Sequence, residues 1–336
     1  MRGEAGLDYA GGPQTELPEL AADARGVWLH TLLWFYREYK ERKQRLSQPH
    51  VRIDLPPVPA GLEGKHFQRF SRTWRIAHLM FALSLMVLTL TGIPLFYPDA
   101  PWAKPLMQLL GGPRTAGLIH RSAALVFASI FFWHLFYVGI GIIRNWKSFK
   151  VWGPNSLIPG PQDFKDIYAM FRWFFGKGPR PVFDRWTYWE KFDYWAPFWG
   201  VTIIGVSGLV MWFPYFATFL PGWVYNVAPI FHGEEAFLAV VFLFTVHFFN
   251  NHFRPDKLPP PDIVMFTGAV SLEEFKREHT LEFNELVASG RLKDYLVDVP
   301  SPAMKLGARI LGIVLLACGL TLLTLVIAGF VHTLST

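Results

Sequence analysis

Charge is scarce in this sequence, and it is missing in long blocks. Asp, Glu, Lys and Arg make up only 17% of the 336 residues, while 51% are hydrophobic. Residues 76–98, 122–143, 194–233, 236–253 and 310–336 contain none of the four. With a mean hydropathy of +0.24, such a chain is not an ordinary soluble domain. Cysteine is nearly absent as well. The single Cys318 excludes an intrachain disulfide. The lack of a C-x-x-C-H motif and of any Cys cluster excludes c-type haem attachment and an iron–sulfur centre. Cys318 lies mid-span and reads as a small apolar packing residue. The first 20 residues hold acids, Gly and Pro but no apolar core, so no secretory leader is visible there. The first apolar span is expected to serve as the targeting signal.

The charge-free blocks themselves carry the fold. A helix needs about 20 apolar residues to cross the hydrocarbon. Four blocks are about that long; the fifth, 194–233, is broken by Pro214, Pro221, Gly222 and Pro229. It reads as one span, a re-entering turn and the start of the next. The expected spans are 75–97, 117–143, 194–214, 230–252 and 306–331. Unbroken runs of this length fit helices rather than alternating strands.

Basic residues set the expected orientation. The first 75 residues carry 12 Lys/Arg, the loop 144–193 carries 9, and the segment 254–305 carries 7. The loop between spans three and four and the C-terminal tail carry none. This places the N-terminus and both long loops in the cytoplasm and the C-terminus in the periplasm of a multi-pass inner-membrane protein. The pI of 9.3 then reflects this bias toward anionic membrane lipid, and no nucleic acid partner is needed.

Between the spans, residues 1–24 are expected to be disordered. Residues 25–46 form an amphipathic helix lying on the membrane, against a partner or in solvent. VRIDLPPVPAG is a Pro-rich linker, and a short helix is expected near 163–175. After the stop HFRPDKLPPP comes a soluble helical hairpin, with Ser271 and Glu274 forming a capping box.

Five of the 11 histidines lie in or at the ends of spans one, two and four: His78, His120, His134, His232 and His247. Ionisable groups in a membrane are costly and usually functional. His120 and His134 are 14 residues apart, which returns to within about 40° of one face and roughly 21 Å in depth. His232 and His247 are 15 apart, about 60° off and roughly 22 Å in depth. Spans two and four run the same way. His120 and His232 therefore share one depth, His134 and His247 share another, and His78 joins the second set. Facing imidazoles at two depths suit two stacked haem b groups, each held by a ligand pair with its second ring nitrogen fixed by a hydrogen bond. Without haem, the same histidines would hydrogen-bond between helices of an anchor subunit. They could also line a proton or ion transporter, though beyond Glu234 and Glu235 the spans offer such a path almost no acids.

RFSRTWRIAHLMFALSLMVLTLTGIPL, with basic residues before a His and a TG near its far end, resembles the first span of the membrane cytochrome b subunits of formate dehydrogenase and thiosulfate reductase. GPRTAGLIHRSAALVFASIFFWHLFY resembles their second span. EKFDYWAPFWGVTIIGVSGLVMWFPYFATFLPGW, with its W-x-PYF turn, is similar to their third, and FHGEEAFLAVVFLFTVHFF to their fourth. FTGAVSLEEFKREHTLEFNEL fits the family's tail, so the resemblance covers residues 66–290. It implies one haem held by His120 and His232 and another by His78 and His247. His134 has an equivalent only in the thiosulfate-reductase-like branch. His252 is a further possible ligand, and six histidines could hold three haems. The family places its quinone near the inner haem, which suggests Glu190, Lys191, Asn250, Asn251 or His252. Glu235 could serve an outer proton route.

Arg69, Arg72, Arg75, Arg121, Arg144 and Arg254 are candidates for haem propionates or ordinary flanking charge. Gly92, Gly139, Gly205 and Gly208 either make room for a macrocycle or let helices approach. His30, His50, His66, His279 and His332 receive no site. The expected fold is an all-α integral membrane protein, a four-helix haem-binding bundle plus one additional C-terminal transmembrane helix. Its parts are an N-terminal cytoplasmic extension (1–65), a dihaem cytochrome b core (66–253), a cytoplasmic helical segment (254–305) and the fifth transmembrane helix (306–336). The expected function is electron transfer between the membrane quinone/quinol pool and a partner, either iron–sulfur and molybdenum subunits or a multihaem cytochrome c.

Overall fold

The computed structural model describes residues 17–47, 61–62 and 64–335. Residues 1–16 of the expected disordered stretch, nearly all of the Pro-rich linker, and His50 lie outside the described residues. Helix α1 (Leu17–Ser47) already includes residues 17–24, which were expected to be disordered. Pro18 suits a first helical turn, and the next two turns are dominated by Leu, Glu and Ala, all strong helix formers. Strand β1 (His66–Gln68) leads into α2 (Arg72–Phe96), and the short α3 (Ala103–Leu109) links it to α4 (Gly112–Arg144). Then come α5 (Pro161–Phe174), α6 (Tyr188–Trp212) and α7 (Trp223–Phe242). Two π-helical turns, Leu243–His247 and Phe249–Phe253, prolong α7. The chain continues through α8 (Val264–Thr267), β2 (Ala269–Ser271), α9 (Leu272–Glu278), α10 (Thr280–Ala288), β3 (Leu296–Val297) and α11 (Pro302–Ser335).

All five expected spans are present, over Arg72–Phe96, Gly112–Arg144, Tyr188–Trp212, Trp223–Phe253 and Pro302–Ser335. Each starts a few residues earlier than the expected span, and at α2 and α6 the reason is a side-chain cap in the polar interface. Ser71 caps α2, and a capping box of Thr187 and Glu190 starts α6. The turn Pro214–Thr218 separates α6 from α7. Pro229, expected to precede span four, lies inside α7, as Pro94 and Pro197 lie inside α2 and α6. Membrane helices tolerate such residues where neighbouring groups satisfy the freed backbone. Hydroxyls within the spans return to carbonyls of their own helix, as Ser84, Thr89, Thr202 and Thr245 do.

The helices form two close pairs, α2 with α4 and α6 with α7. Between the pairs the backbones approach less closely, and side chains make the contact, α2 with α7 in the apolar core and α4 with α6 through Phe131–Phe198 and His134–Tyr194. The bundle's apolar core lies at the seam of α2, α7 and α11, around Ile93, Tyr97, Val240, Phe244, Phe248, Leu316 and Val326. Gly312, Gly319 and Gly329 let α11 meet Pro261, Phe248 and Tyr97. Cys318 is exposed on the other side of α11 and is not an internal packing residue. α4 is the least covered of the five spans, with Ala116, Ala123 and Phe131 its buried residues.

A cap closes one end of the bundle. β1 is the central strand, antiparallel to β2 (Phe67 opposite Val270) and to β3 (Phe67 opposite Leu296). Phe67 stacks on Phe275 with ring centroids 3.7 Å apart. Gly268 (φ +81°) has no room for a Cβ, which would lie 2.5 Å from the Phe70 carbonyl oxygen. Ser271 caps α9 by accepting from Glu274 N at 3.2 Å. The reciprocal half of the expected box does not form, because the Glu274 carboxylate instead accepts from Lys257 at 2.8 Å. The apolar face of α1 packs on α5 and α6, where fully buried Trp34 meets Met170, Trp173, Phe174 and Trp189. The helix was expected to meet a membrane, a partner or solvent; its Trp34 face finds its cover within the chain, while Leu29, Leu32, Tyr36 and Tyr39 stay exposed.

Candidate functional site

Two pairs of histidine rings face each other across the gap between the helix pairs. His120 on α4 and His232 on α7 have ring centroids 6.2 Å apart, with ring planes at 57°. His78 on α2 and His247 in the π-helical extension of α7 are also 6.2 Å apart, with planes at 34°. The second pair lies toward the cap, and the first toward the far end of the bundle. A metal holds an imidazole nitrogen at about 2.0–2.1 Å. Two ligands on opposite sides of one metal therefore place their ring centres about 6.3 Å apart, counting roughly 1.1 Å from each nitrogen to its ring centre. Both pairs have that spacing. No group of three or more His, Cys, Asp or Glu among the described residues could hold a bare metal ion. Paired imidazoles facing each other from different helices at this spacing suit a flat macrocycle that brings its own equatorial ligands.

The far pair is held by two matching dipeptides. On α2, Thr91 Oγ1 lies 2.8 Å from His120 Nδ1, and its own hydroxyl donates to the Val87 carbonyl at 2.7 Å. The hydroxyl therefore accepts from Nδ1–H, leaving Nε2 with the lone pair. On α6, His232 Nδ1 lies 3.0 Å from the Ile204 carbonyl and 3.2 Å from Ser207 Oγ. The carbonyl can only accept, so the same tautomer is fixed. The next residue in each case is glycine. A Cβ on Gly92 would lie 3.6 Å from His120 Cε1, and one on Gly208 would lie 3.1 Å from His232 Cε1. Thr-Gly and Ser-Gly thus perform the same two tasks, supplying an oxygen at Nδ1 and clearing the ring. Gly139 and Gly205 face open space and do neither.

At the cap-side pair, His247 Nδ1 lies 3.2 Å from the Asp193 carboxylate. Asn250 and Asn251 donate to the same carboxylate at 3.2 and 3.1 Å. Asp193 had not been singled out in the sequence, although an acid immediately before a charge-free span was the available signal. The π-helical turns likewise have no signature in the sequence. The first of them ends at His247 and widens the helix there, so the 15-residue spacing from His232 does not translate into a simple 60° offset.

His134 is not brought to His247, the arrangement its depth suggested. Its Nε2 hydrogen-bonds the Tyr194 hydroxyl at 2.9 Å, and its ring sits edge-on to Trp74. Depth alone does not determine which helix a side chain faces. His252 packs edge-on to Phe248, with Nδ1 buried and without a hydrogen-bond partner.

Several polar candidates are committed elsewhere. Glu190 completes the α6 cap and pairs with Arg69 at 3.1 Å; Lys191 pairs with Asp163 at 2.9 Å. Arg69 also faces Glu282, Arg75 donates to the Phe266 carbonyl, and Arg254 lies between Asp256, Glu278 and the Trp34 and Trp189 rings. These three arginines stitch the cap to the bundle and are not free for propionates. Arg72, Arg121 and Arg144 remain exposed.

Residues 69–254 match the family described as prokaryotic cytochrome b561. The chain is similar to the cytochrome b556 subunit of formate dehydrogenase from Haemophilus influenzae. Identity is 25% over 228 residues, covering 66% of this chain and 84% of the relative. It is also similar to the cytochrome b556(fdo) subunit of formate dehydrogenase from Escherichia coli K12. Identity there is 25% over 183 residues, covering 54% of this chain and 76% of the relative.

Proposed function

Because the chain belongs to the prokaryotic cytochrome b561 family, a group of haem-bearing membrane electron carriers, we propose that it carries two b haems, one between His78 and His247 and one between His120 and His232. The observation that carries this reading is the equal 6.2 Å spacing of the two ring pairs, each split between the two helix pairs. Held by these histidines, haem b would supply a one-electron iron couple suited to electron transfer. The chain's own residues fix the tautomer of three of the four ligands, His120, His232 and His247, through Thr91, Ile204 and Asp193, and set the spacing of the two sites along the bundle. The division into a core (66–253), a cap (254–305) and a fifth span (306–336) belongs to the same proposal.

Electrons would pass between a membrane quinone and a partner redox protein. The named relatives favour an iron–sulfur and molybdenum enzyme as partner over a multihaem cytochrome c. The distribution of Lys and Arg supports a cytoplasmic N-terminus and cap with a periplasmic C-terminus. The quinone would bind beside the cap-side pair. Of the five polar residues considered there, His252 keeps an unpartnered buried nitrogen that could meet a quinone carbonyl.

A dithionite-reduced minus oxidised spectrum of the purified protein tests the reading, and b-type bands are expected. A pyridine haemochrome assay should count two haems per chain; a count of three would bring His134 and His252 back as ligands. If the spectrum shows no haem, the proposal fails. A proton-flux assay in liposomes would then separate a transporter from an anchor subunit.

A further inference from the structure

The two histidine pairs differ in the charge of what their Nδ1 atoms meet. His120 meets a threonine hydroxyl, and His232 meets a backbone carbonyl and a serine hydroxyl; all three are neutral. His247 meets the carboxylate of Asp193. We infer that Asp193 is a positioning residue that makes the two electron-carrying sites unequal, holding the cap-side site at the lower reduction potential; this rests on the dihaem reading above.

The local hydrogen bonding supports the assignment. Asn250 Nδ2 donates to Asp193 Oδ1, and Asn251 Nδ2 donates to Oδ2. The second proton of Asn251 goes to the His247 carbonyl at 2.8 Å. With both amide protons placed, the 3.1 Å approach of Asn251 Nδ2 to His247 Nδ1 is a contact between two donors that share one acceptor. Nδ1–H therefore points to Asp193, and Nε2 keeps the lone pair. The opposite tautomer, with Asn251 donating to a bare Nδ1, would put a proton on the nitrogen that has to bind iron. The carboxylate oxygens receive three N–H groups in all, an arrangement suited to an acceptor-only ionised group. An anionic acceptor at Nδ1 draws the proton away from the ring and makes Nε2 the more basic ligand. A more basic axial ligand stabilises the oxidised metal. The effect is confined to the cap-side site because Asp193 touches His247 and neither member of the far pair.

The test is a redox titration of the purified holoprotein, followed by visible absorption and by the low-spin ferric signals in electron paramagnetic resonance. Asp193→Asn keeps size and hydrogen bonding but removes the charge. One of the two components should become at least tenfold easier to reduce, a shift of about 59 mV for one electron, with a changed low-spin signal. The other should stay where it was. Asp193→Glu should keep the wild-type ordering, and Asn251→Leu, which removes a donor competing for the same carboxylate oxygen, should move the same component by less and in the opposite direction. If Asp193→Asn does not accumulate, the Asn251→Leu and Asp193→Glu pair decides between the outcomes. Two haems with unchanged potentials, or an equal shift of both components, would overturn the inference while leaving the dihaem reading intact. A wild-type protein without haem would instead remove the reading beneath it.

Discussion

Thr91 Oγ1 stands 2.8 Å from His120 Nδ1 while giving its own proton to Val87, so one hydroxyl fixes the ring of a residue 29 positions away. Thr91→Val keeps the shape and removes the acceptor. The ring then keeps only a backbone partner at Leu88, so its orientation and its preference for the tautomer that exposes Nε2 both weaken. Losing such a partner costs roughly 10–100-fold in metal-site affinity. The variant should lose haem from one site on dilution or prolonged detergent washing, and a pyridine haemochrome count should drop toward half. Full retention would show that this hydroxyl does not hold the ring.

Gly208 and Gly92 separate under the same substitution. A methyl on Gly208 would sit 3.1 Å from His232 Cε1, tighter than ordinary contact, whereas one on Gly92 would sit 3.6 Å from His120 Cε1. Overpacking of this kind costs about 1–3 kcal/mol. Gly208→Ala should disturb the far-pair signal in electron paramagnetic resonance and lower haem retention. Gly92→Ala should leave both close to wild type.

The fifth span should be separable from the electron-carrying site. A Cβ on Gly319 would lie 2.6 Å from Phe248 Cζ and 2.8 Å from Phe244 Cδ1, both buried rings. Gly319→Leu should therefore loosen α11 from α2 and α7, seen as faster proteolysis near residues 298–302 and a lower thermal midpoint in detergent. The reduced spectrum should keep both b-type components, because neither histidine pair includes a residue of α11.

Acid should weaken the cap through His279. Burial, and after it the Arg69 guanidinium, push this imidazole down to about 4, while Nδ1 donates to the Asp184 carbonyl at 2.8 Å. Glu190 and Glu278 also face it and act in the opposite direction. The folded state holds the ring neutral, and the unfolded chain takes up the proton near pH 6.5. Its contribution is therefore fully present above about 6.5 and is lost as the pH falls toward 4. The whole effect is about 3 kcal/mol. His279→Gln keeps a donor for Asp184 and should flatten the fall in thermal midpoint between pH 6.5 and 4. An unchanged slope would exclude this residue as a source.

Charge-free runs are local, and hydrocarbon imposes a length on each, so all five spans could be read before any packing was known. Their ends were less legible, because caps such as Ser71 and Thr187–Glu190 lie among the polar residues outside those runs. The TG of span one was visible as a pattern, yet its two tasks at His120 appear only when α2 and α4 lie side by side. The three-stranded sheet was not legible at all. Its strands are two or three residues long and come from segments some 200 positions apart.

By itself the sequence determined that this is a helical membrane protein with histidines at two levels, since composition sets the spans and the regular rise of a helix sets depth. Only the tertiary structure decided that His78 faces His247, that His134 turns to Tyr194, and that Asp193 stands behind one ligand. Facing depends on how each helix is rotated about its axis. Distant packing and the π-helical turn that ends at His247 set that rotation, and no stretch of neighbouring residues encodes it.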